Sequence, residues 1–288
     1  MKFAITLSFT LMTGAAAFVA DATRGRVLVA AEAAVDDTAK VEILKAEAPK
    51  SDNDAKSTDP AKAEKKEKPK PPPPPSTVEP APRSDQGWWM KRHEQFLDRV
   101  KQGDAEVIFI GDSITQGWEG GGKAIWRRWY EPRKAINLGI GGDQTQHVLW
   151  RLDHGEVDGI APKVAVVMIG TNNTGRNTPE QIADGVRAVV EKLKSKLPKT
   201  KILLLAIFPR DQKPEGEKRR RVKATNDIIA KFDDGKTVRY LDIGARFIEP
   251  DGTITKEIMP DHLHFSSKGY RIWAESIEPL LWEMSQDD

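Results

Sequence analysis

The stretch Val107-Ile108-Phe109-Ile110-Gly111-Asp112-Ser113-Ile114-Thr115 decides how the rest of the chain is read. Its four leading apolar residues suit a strand covered on both faces, as in a parallel sheet. The turn that ends them sets a serine hydroxyl at the strand's carboxyl end. Four comparable runs follow: Ala135 to Leu138, Val164 to Ile169, Ile202 to Ile207 and Val238 to Leu241. Among them, Ile125 to Tyr130, Val148 to Leu152, Ile182 to Leu197, Val222 to Phe232 and Tyr270 to Met284 have helical spacing. Thr178-Pro179-Glu180-Gln181 opens one of these with a capping threonine and a proline in the first helical position. Strands alternating with helices predict an α/β chain, a three-layer α/β/α sandwich around a five-stranded parallel sheet. Ligands bind such sheets outside the carboxyl ends of the strands, so chemistry is expected in the residues that follow each strand.

The chain has 288 residues, 45 Lys plus Arg against 43 Asp plus Glu, 39% hydrophobic residues and no cysteine. That charge balance gives no case for nucleic acid, which needs a concentrated basic surface. Without cysteine there are no disulfides, thiolate nucleophiles, cysteine-ligated zinc or iron–sulfur clusters. Residues 21–85 hold no Phe, Tyr or Trp, whereas all eight Trp lie from Trp88 onward, which places the folded domain at 86–288. Its length of roughly 200 residues is enough to bury about 70% of the unfolded surface.

Residues 1–20 read as a signal peptide: Lys2 is followed by a mostly apolar run to Ala20, with Ala15-Ala16-Ala17 as small residues for cleavage. Export to the periplasm or beyond is the expectation. An uncleaved anchor is the alternative, and is the single route by which the chain would contact a membrane. Residues 21–85 carry twelve Lys or Arg and thirteen Asp or Glu, and they end in Pro69, Pro71 to Pro75, Pro80 and Pro82. This tract reads as a disordered linker with a stiff polyproline spacer. The cluster Lys218, Arg219, Arg220, Arg221 and Lys223 reads as a solvated helix face.

Three further segments join Gly111-Asp112-Ser113 at the expected strand ends. Gly139-Ile140-Gly141-Gly142-Asp143 lets backbone N–H groups approach a bound anion closely. Gly170-Thr171-Asn172-Asn173 offers a side-chain amide to the same anion. Pro260-Asp261-His262-Leu263-His264-Phe265 supplies, from one loop, the imidazole base and orienting carboxylate that a serine nucleophile needs. Two of the five histidines fall here; His264 is read as the base and His262 as a packing or surface neighbour. Asp112 and Asp143 read as turn organisers, because aspartate readily accepts from nearby backbone N–H groups. Trp118, Trp126, Trp129 and Trp150 read mainly as core. Gly117 to Ala124 nearly spells a phosphate-binding loop, but Ala124 lacks the hydroxyl that would hold magnesium. Position 144 is Gln where a dinucleotide fingerprint needs its third glycine. No cofactor and no catalytic metal are expected.

From about Val107 to Trp282 these blocks, in this order, resemble the SGNH hydrolases, also called GDSL esterases and lipases. Within that family, Asn137 to Leu152 and Phe208-Pro209-Arg210 are most similar to the catalytic subunits of intracellular platelet-activating factor acetylhydrolase. The exported, proline-tailed N-terminus departs from those enzymes. The resemblance implies a flavodoxin-like fold and a catalytic set of Ser113, Asp261 and His264. It also assigns an oxyanion hole to the backbone N–H groups of Ser113 and Gly142 and the amide of Asn172. The activity it implies is hydrolysis of short acyl esters, acetyl foremost. The partner is then a small-molecule, carbohydrate or lipid ester; O-acetylated carbohydrate and lysophospholipid stay open, as does the oligomeric state. Acyl transfer to an acceptor other than water, and a tethered binding module without turnover, are the readings of another class.

Overall fold

The computed structural model describes residues 73–286. The expected signal peptide or anchor, and the linker through residue 72, lie outside the described residues. Five strands, β1 Val107–Gly111, β2 Ile136–Gly139, β3 Val164–Met168, β4 Lys201–Leu205 and β5 Val238–Leu241, form one parallel sheet in the order β2-β1-β3-β4-β5. The larger helices are α1 Gly87–Val100, α3 Lys123–Trp129, α4 Thr145–Asp153, α5 Pro179–Lys196, α6 Glu217–Ile229 and α7 Ser267–Ser285; the short α2 spans Ser113–Gln116. Among the described residues no helix is long and apolar enough to cross a membrane.

Alternation along the strands makes the sandwich. In β1, Ile108 and Ile110 face one side with Ala165 and Val167 of β3 and Ile202 and Leu204 of β4, against Phe96, Leu149, Val186 and Val222 from the helices. Val107 and Phe109 face the other side with Val166, Met168, Leu203 and Leu205, against Trp118, Trp273, Ile277 and Leu281. Both faces are thus apolar, which is why the strands read as unbroken hydrophobic runs rather than alternating ones. Trp118 is in the second core, while Trp126, Trp129 and Trp150 are partly buried against one core or the other.

Most elements lie within a few residues of the sequence expectation, and the Thr178 start of α5 is a reciprocal capping box with Gln181. The differences have physical causes. β4 ends at Leu205 rather than Ile207, because the Asn226 side chain takes over the Ile207 N–H and C=O at 2.9 Å each. Helix α6 starts five residues earlier than its first apolar position, through a charged turn that carries no periodic signal. That turn is not a plain solvated face: Arg219 is buried and donates to the Gly252 carbonyl at 2.8 Å, and Arg221 donates to that of Thr174 at 2.8 Å. Helix α1 was missed, although Trp89, Phe96 and Val100 on its buried face have helical spacing.

The packed chain also begins ahead of Gln86. Thr77 donates to the Gln181 carbonyl at 2.7 Å and its own carbonyl accepts from Thr145 Oγ1 at 2.8 Å. Ala81 N–H reaches the Gln146 carbonyl at 3.1 Å, while Arg176 and Asn177 donate to the Pro73 and Pro75 carbonyls at 3.0 Å. Residues 73–85 therefore lie on the α4–α5 side as an arm held by polar contacts, not as a spacer. A boundary drawn from aromatic content cannot see such contacts.

One buried group ties the strand ends together. Arg151 of α4 is fully buried and donates to Asp143 Oδ2 at 2.9 Å, to the Leu138 carbonyl of β2 at 3.1 Å, to the Gly111 carbonyl of β1 at 3.4 Å and, in a short bond, to Glu156. Removing one member of such a set leaves buried charge uncompensated, at about 3–5 kcal/mol. Arg151→Leu is therefore expected to lower the free energy of unfolding in urea by about that amount; a loss under about 1 kcal/mol contradicts this role.

Candidate active site

The strand order turns back between β1 and β3, and the register sets Gly111 opposite both Gly139 and Met168. The segments after β1, β2 and β3 therefore open into one crevice, at the switch point where such sheets bind ligands. The turn that bears Ser113 packs directly on the end of β2 because Gly139 carries no side chain: a Cβ there would stand 2.3 Å from the Gln116 nitrogen and 2.9 Å from the Asp112 carbonyl oxygen.

Ser113 opens α2. Asp112 caps that turn by accepting from the Ile114 N–H at 2.9 Å, and Tyr270 of α7 donates to the Ile114 carbonyl at 2.7 Å. The serine is thereby fixed from both ends. Across the crevice, Phe265 buries its ring against Phe208, Phe247 and Trp273, while Ser266 caps α7 by accepting from the Gly269 N–H. The loop just ahead of them presents His264. Its Nε2 lies 2.8 Å from Ser113 Oγ, and its Nδ1 lies 2.6 Å from Asp261 Oδ2. The other Asp261 oxygen accepts the backbone N–H groups of His264 at 2.7 Å and Leu263 at 3.1 Å. Partial burial pushes the Asp261 carboxyl up, but the donors from His264 and Leu263 outweigh it and hold the group below the usual carboxylate range. An ionised Asp261 fixes the imidazole with its proton on Nδ1 and leaves Nε2 to accept from the serine.

The neighbouring histidines do other work. His262 is in the left-handed region, φ 58°, and its Nδ1 lies 3.1 Å from the Ile254 carbonyl. His147 accepts the Gln144 N–H at 3.0 Å, completing a capping box at the start of α4. Burial, aided by the charges of Arg83 and Arg151, pushes its imidazole down to about 4.

The residues assigned to an oxyanion hole follow the neighbouring strands β1, β2 and β3. Ser113 N–H is at the first position of a helix, where no intrahelical acceptor exists. Gly142 lies in the turn after β2 with φ 77° and is exposed. Asn172 Nδ2 donates one hydrogen to the Asp143 carbonyl at 2.9 Å, which aims the amide and leaves its second hydrogen unassigned. Asp143 does not organise its turn through nearby backbone N–H groups as expected: its carboxylate accepts instead from side chains of other segments, Trp89 Nε1 at 2.6 Å, Arg151 Nε at 2.9 Å and Arg83 Nη1 at 3.3 Å. Arg83, Trp89, Gln116 and Arg151 were not found from sequence. Gln116, which accepts the Gly141 N–H at 2.7 Å, lies three residues past the serine, yet nothing in its spacing marks it.

Asp112 is fully buried and its Oδ2 has no hydrogen-bond partner. Burial, with the Asp143 charge adding to it, pushes the Asp112 carboxyl up to about 7 against the pull of the Ile114 N–H, His264 and Arg210. A folded-state value above the ordinary one means the fold is favoured by the protonated form, a contribution present at low pH and lost as pH rises through about 7. Asp112→Asn keeps the acceptor for Ile114 but cannot ionise. Its melting temperature relative to the unaltered chain is expected to rise between about pH 5 and pH 8. A difference that stays flat over that range contradicts a strained, buried carboxylate.

The chain is similar to known proteins. The family model described as GDSL-like Lipase/Acylhydrolase family matches residues 109–272. The chain is 39% identical over 215 residues to platelet-activating factor acetylhydrolase IB subunit alpha1 of Bos taurus, covering 73% of this chain and 90% of that one. It is 36% identical over 199 residues to subunit alpha2 of Gallus gallus, covering 69% and 86%. Among solved structures, a GDSL-like lipase from Bacteroides thetaiotaomicron superposes with a TM-score of 0.54 at 18% identity, covering 66% of this chain and 97% of that one. A member of the lipolytic G-D-S-L family from Veillonella parvula gives 0.54 at 19%, covering 62% and 98%. At those identities the structures speak for the fold alone, whereas the family match spans the positions of Ser113, Gly142, Asn172, Asp261 and His264. With its sheet order, its serine at the end of β1 and its histidine ahead of α7, this chain is a hydrolase that belongs to the GDSL-like lipase/acylhydrolase family.

Proposed function

We propose that the chain is a serine carboxylic-ester hydrolase that removes short acyl groups, acetyl foremost, through an acyl-enzyme. The observation that carries this reading is the unbroken relay from Asp261 through His264 to Ser113, with contacts of 2.6 and 2.8 Å. His264 takes the Ser113 proton as Oγ attacks the ester carbonyl, while Asp261 supports the imidazolium. The oxyanion that forms is held by the Ser113 and Gly142 N–H groups and the Asn172 amide. On collapse the ester C–O bond breaks, His264 gives its proton to the leaving alcohol, and the acyl group stays on Ser113. Water, deprotonated by His264, then attacks the acyl-enzyme; the carboxylic acid leaves and Oγ recovers its proton.

Two features support a short acyl group. The relatives that match over most of their length are named acetylhydrolases. The connection that carries Gly142, between β2 and α4, is also only five residues long, too short to form a cover over a long acyl chain on that side of the crevice. The exported location expected from residues 1–20 is proposed together with this reading, and an O-acetylated carbohydrate suits both as the natural ester; a lysophospholipid, whose acyl chain is long, is the substrate that a palmitoyl preference would indicate instead.

Release of acid from matched acetyl, butyryl and palmitoyl esters tests the proposal. The expected order is acetyl, then butyryl, with palmitoyl at least about 10-fold lower in kcat/KM, as a differential fit of a few kcal/mol gives; a palmitoyl preference overturns the short-acyl reading. In the same assay Ser113→Ala and His264→Ala should lose nearly all turnover. Asn172→Ala should fall about 100- to 1,000-fold in kcat, the usual effect of one lost oxyanion donor. Near-normal turnover in a folded Asn172→Ala removes that residue from the hole. Acylated sugar in excess of free acid, when a sugar acceptor is present, indicates a transferase.

A further inference from the structure

The arm of residues 73–85 reaches the active site through one side chain. Arg83 comes from the tract that reads as linker, yet its side chain is only 16% exposed. Its Nη1 donates to the Gly141 carbonyl at 2.6 Å and to Asp143 Oδ1 at 3.3 Å, and its Nη2 donates to Gln86 Oε1 at 2.6 Å. The guanidinium also stacks over the Trp88 ring, 5.1 Å from the centroid. It closes on Gly142 itself: a Cβ at that glycine would stand 3.1 Å from Nη1 and 3.2 Å from Nη2.

The contact with Asp143 does not by itself explain this placement. Both Asp143 oxygens already accept shorter bonds, from Trp89 and Arg151. The short bond from Arg83 goes to the Gly141 carbonyl, and that carbonyl shares a peptide plane with the Gly142 N–H. A trans peptide is rigid and its C=O and N–H point in opposite directions, so fixing the Gly141 oxygen fixes the direction of the Gly142 hydrogen. A Gly-Gly peptide has little intrinsic barrier to rotation of this plane about its flanking bonds. Gln116, accepting the Gly141 N–H at 2.7 Å, holds the preceding peptide and not this one. A cation bound to a carbonyl also polarises the amide and makes its N–H a stronger donor.

We propose that Arg83 is a positioning residue for the oxyanion hole: it locks the Gly141–Gly142 peptide so that the Gly142 N–H faces the ester carbonyl above Ser113. The proposal rests on the serine-hydrolase reading. It makes the arm ahead of the α/β domain a working part of the site. Because the hole tightens only as negative charge develops, a loosened peptide lowers kcat and leaves KM nearly unchanged.

The test is steady-state hydrolysis of p-nitrophenyl acetate by the full chain and by Arg83→Met, Arg83→Lys and Ser113→Ala, each checked for its melting temperature. Arg83→Met removes the donors and the cation over Trp88 but keeps an unbranched apolar side chain, and kcat should fall about 10- to 100-fold with KM within about twofold, a loss smaller than that of a deleted donor. Arg83→Lys can still donate to the Gly141 carbonyl but cannot span Gln86 as well, and should lose about 3- to 10-fold. A folded Arg83→Met with kcat within twofold of the unaltered chain, or a loss confined to KM, overturns the proposal. Should Arg83→Met melt below the assay temperature, Arg83→Lys decides: an unchanged kcat overturns the proposal and a lowered kcat at constant KM supports it. Loss of activity in Ser113→Ala together with an unaffected Arg83→Met rejects the role of Arg83 alone. An unaltered chain that hydrolyses no ester, or a Ser113→Ala variant that still does, rejects both readings.

Discussion

The nucleophile and oxyanion side of the site depends on Arg151, a cation with no access to water. Its guanidinium bonds the last carbonyl of β1 and the Leu138 carbonyl of β2, and it satisfies one oxygen of Asp143 while pairing with Glu156. Such a group is stable only when all its donors are met, so these partners have to be in place together. The strand that delivers Ser113 and the turn that delivers Gly142 are thereby held to one geometry. Asp143 passes the constraint on: its carboxylate collects Trp89 of α1 and Arg83 of the arm, and its carbonyl receives the Asn172 amide from the β3 loop.

The base comes from the opposite side by a different kind of force. His264 has no buried ion pair behind it; the anchor of its loop is Phe265, wedged among the aromatic rings between α7 and the sheet. Tyr270 reaches from α7 to the carbonyl of Ile114, next to the nucleophile. Buried electrostatics thus set the oxyanion side of the crevice and aromatic packing sets the base side. The Ser113–His264 contact of 2.8 Å is where the two meet.

Strand positions and the Ser113, Asn172, Asp261 and His264 set were legible because each sits next to a strong local signal: an apolar run, a glycine turn or a helix cap. Sheet order and the pairing of Gly111 with Gly139 were not, since register comes from long-range packing. Arg83, Trp89 and Arg151 escaped for a related reason. Trp89 contributes through a bond to Asp143, Arg83 through bonds to Gly141 and Asp143, and Arg151 through bonds to the strand-end carbonyls of Gly111 and Leu138; these are partners set by the fold, and a single side chain leaves no periodic trace. Aromatic content marks the folded part only from Trp88 onward and is blind to the arm. Thr77, Ala81 and Arg83 dock by hydrogen bonds that such a count ignores.

The central claim is that Ser113 is the nucleophile activated by His264. Treating the full chain with a serine-directed p-nitrophenyl phosphonate and mapping the adduct by peptide mass spectrometry tests it directly. A single phosphonyl group on Ser113, formed in step with loss of esterase activity and far more slowly in His264→Ala, is the expected result. Full inactivation with the label elsewhere, or an unlabelled Ser113 in a chain that remains active, contradicts the account.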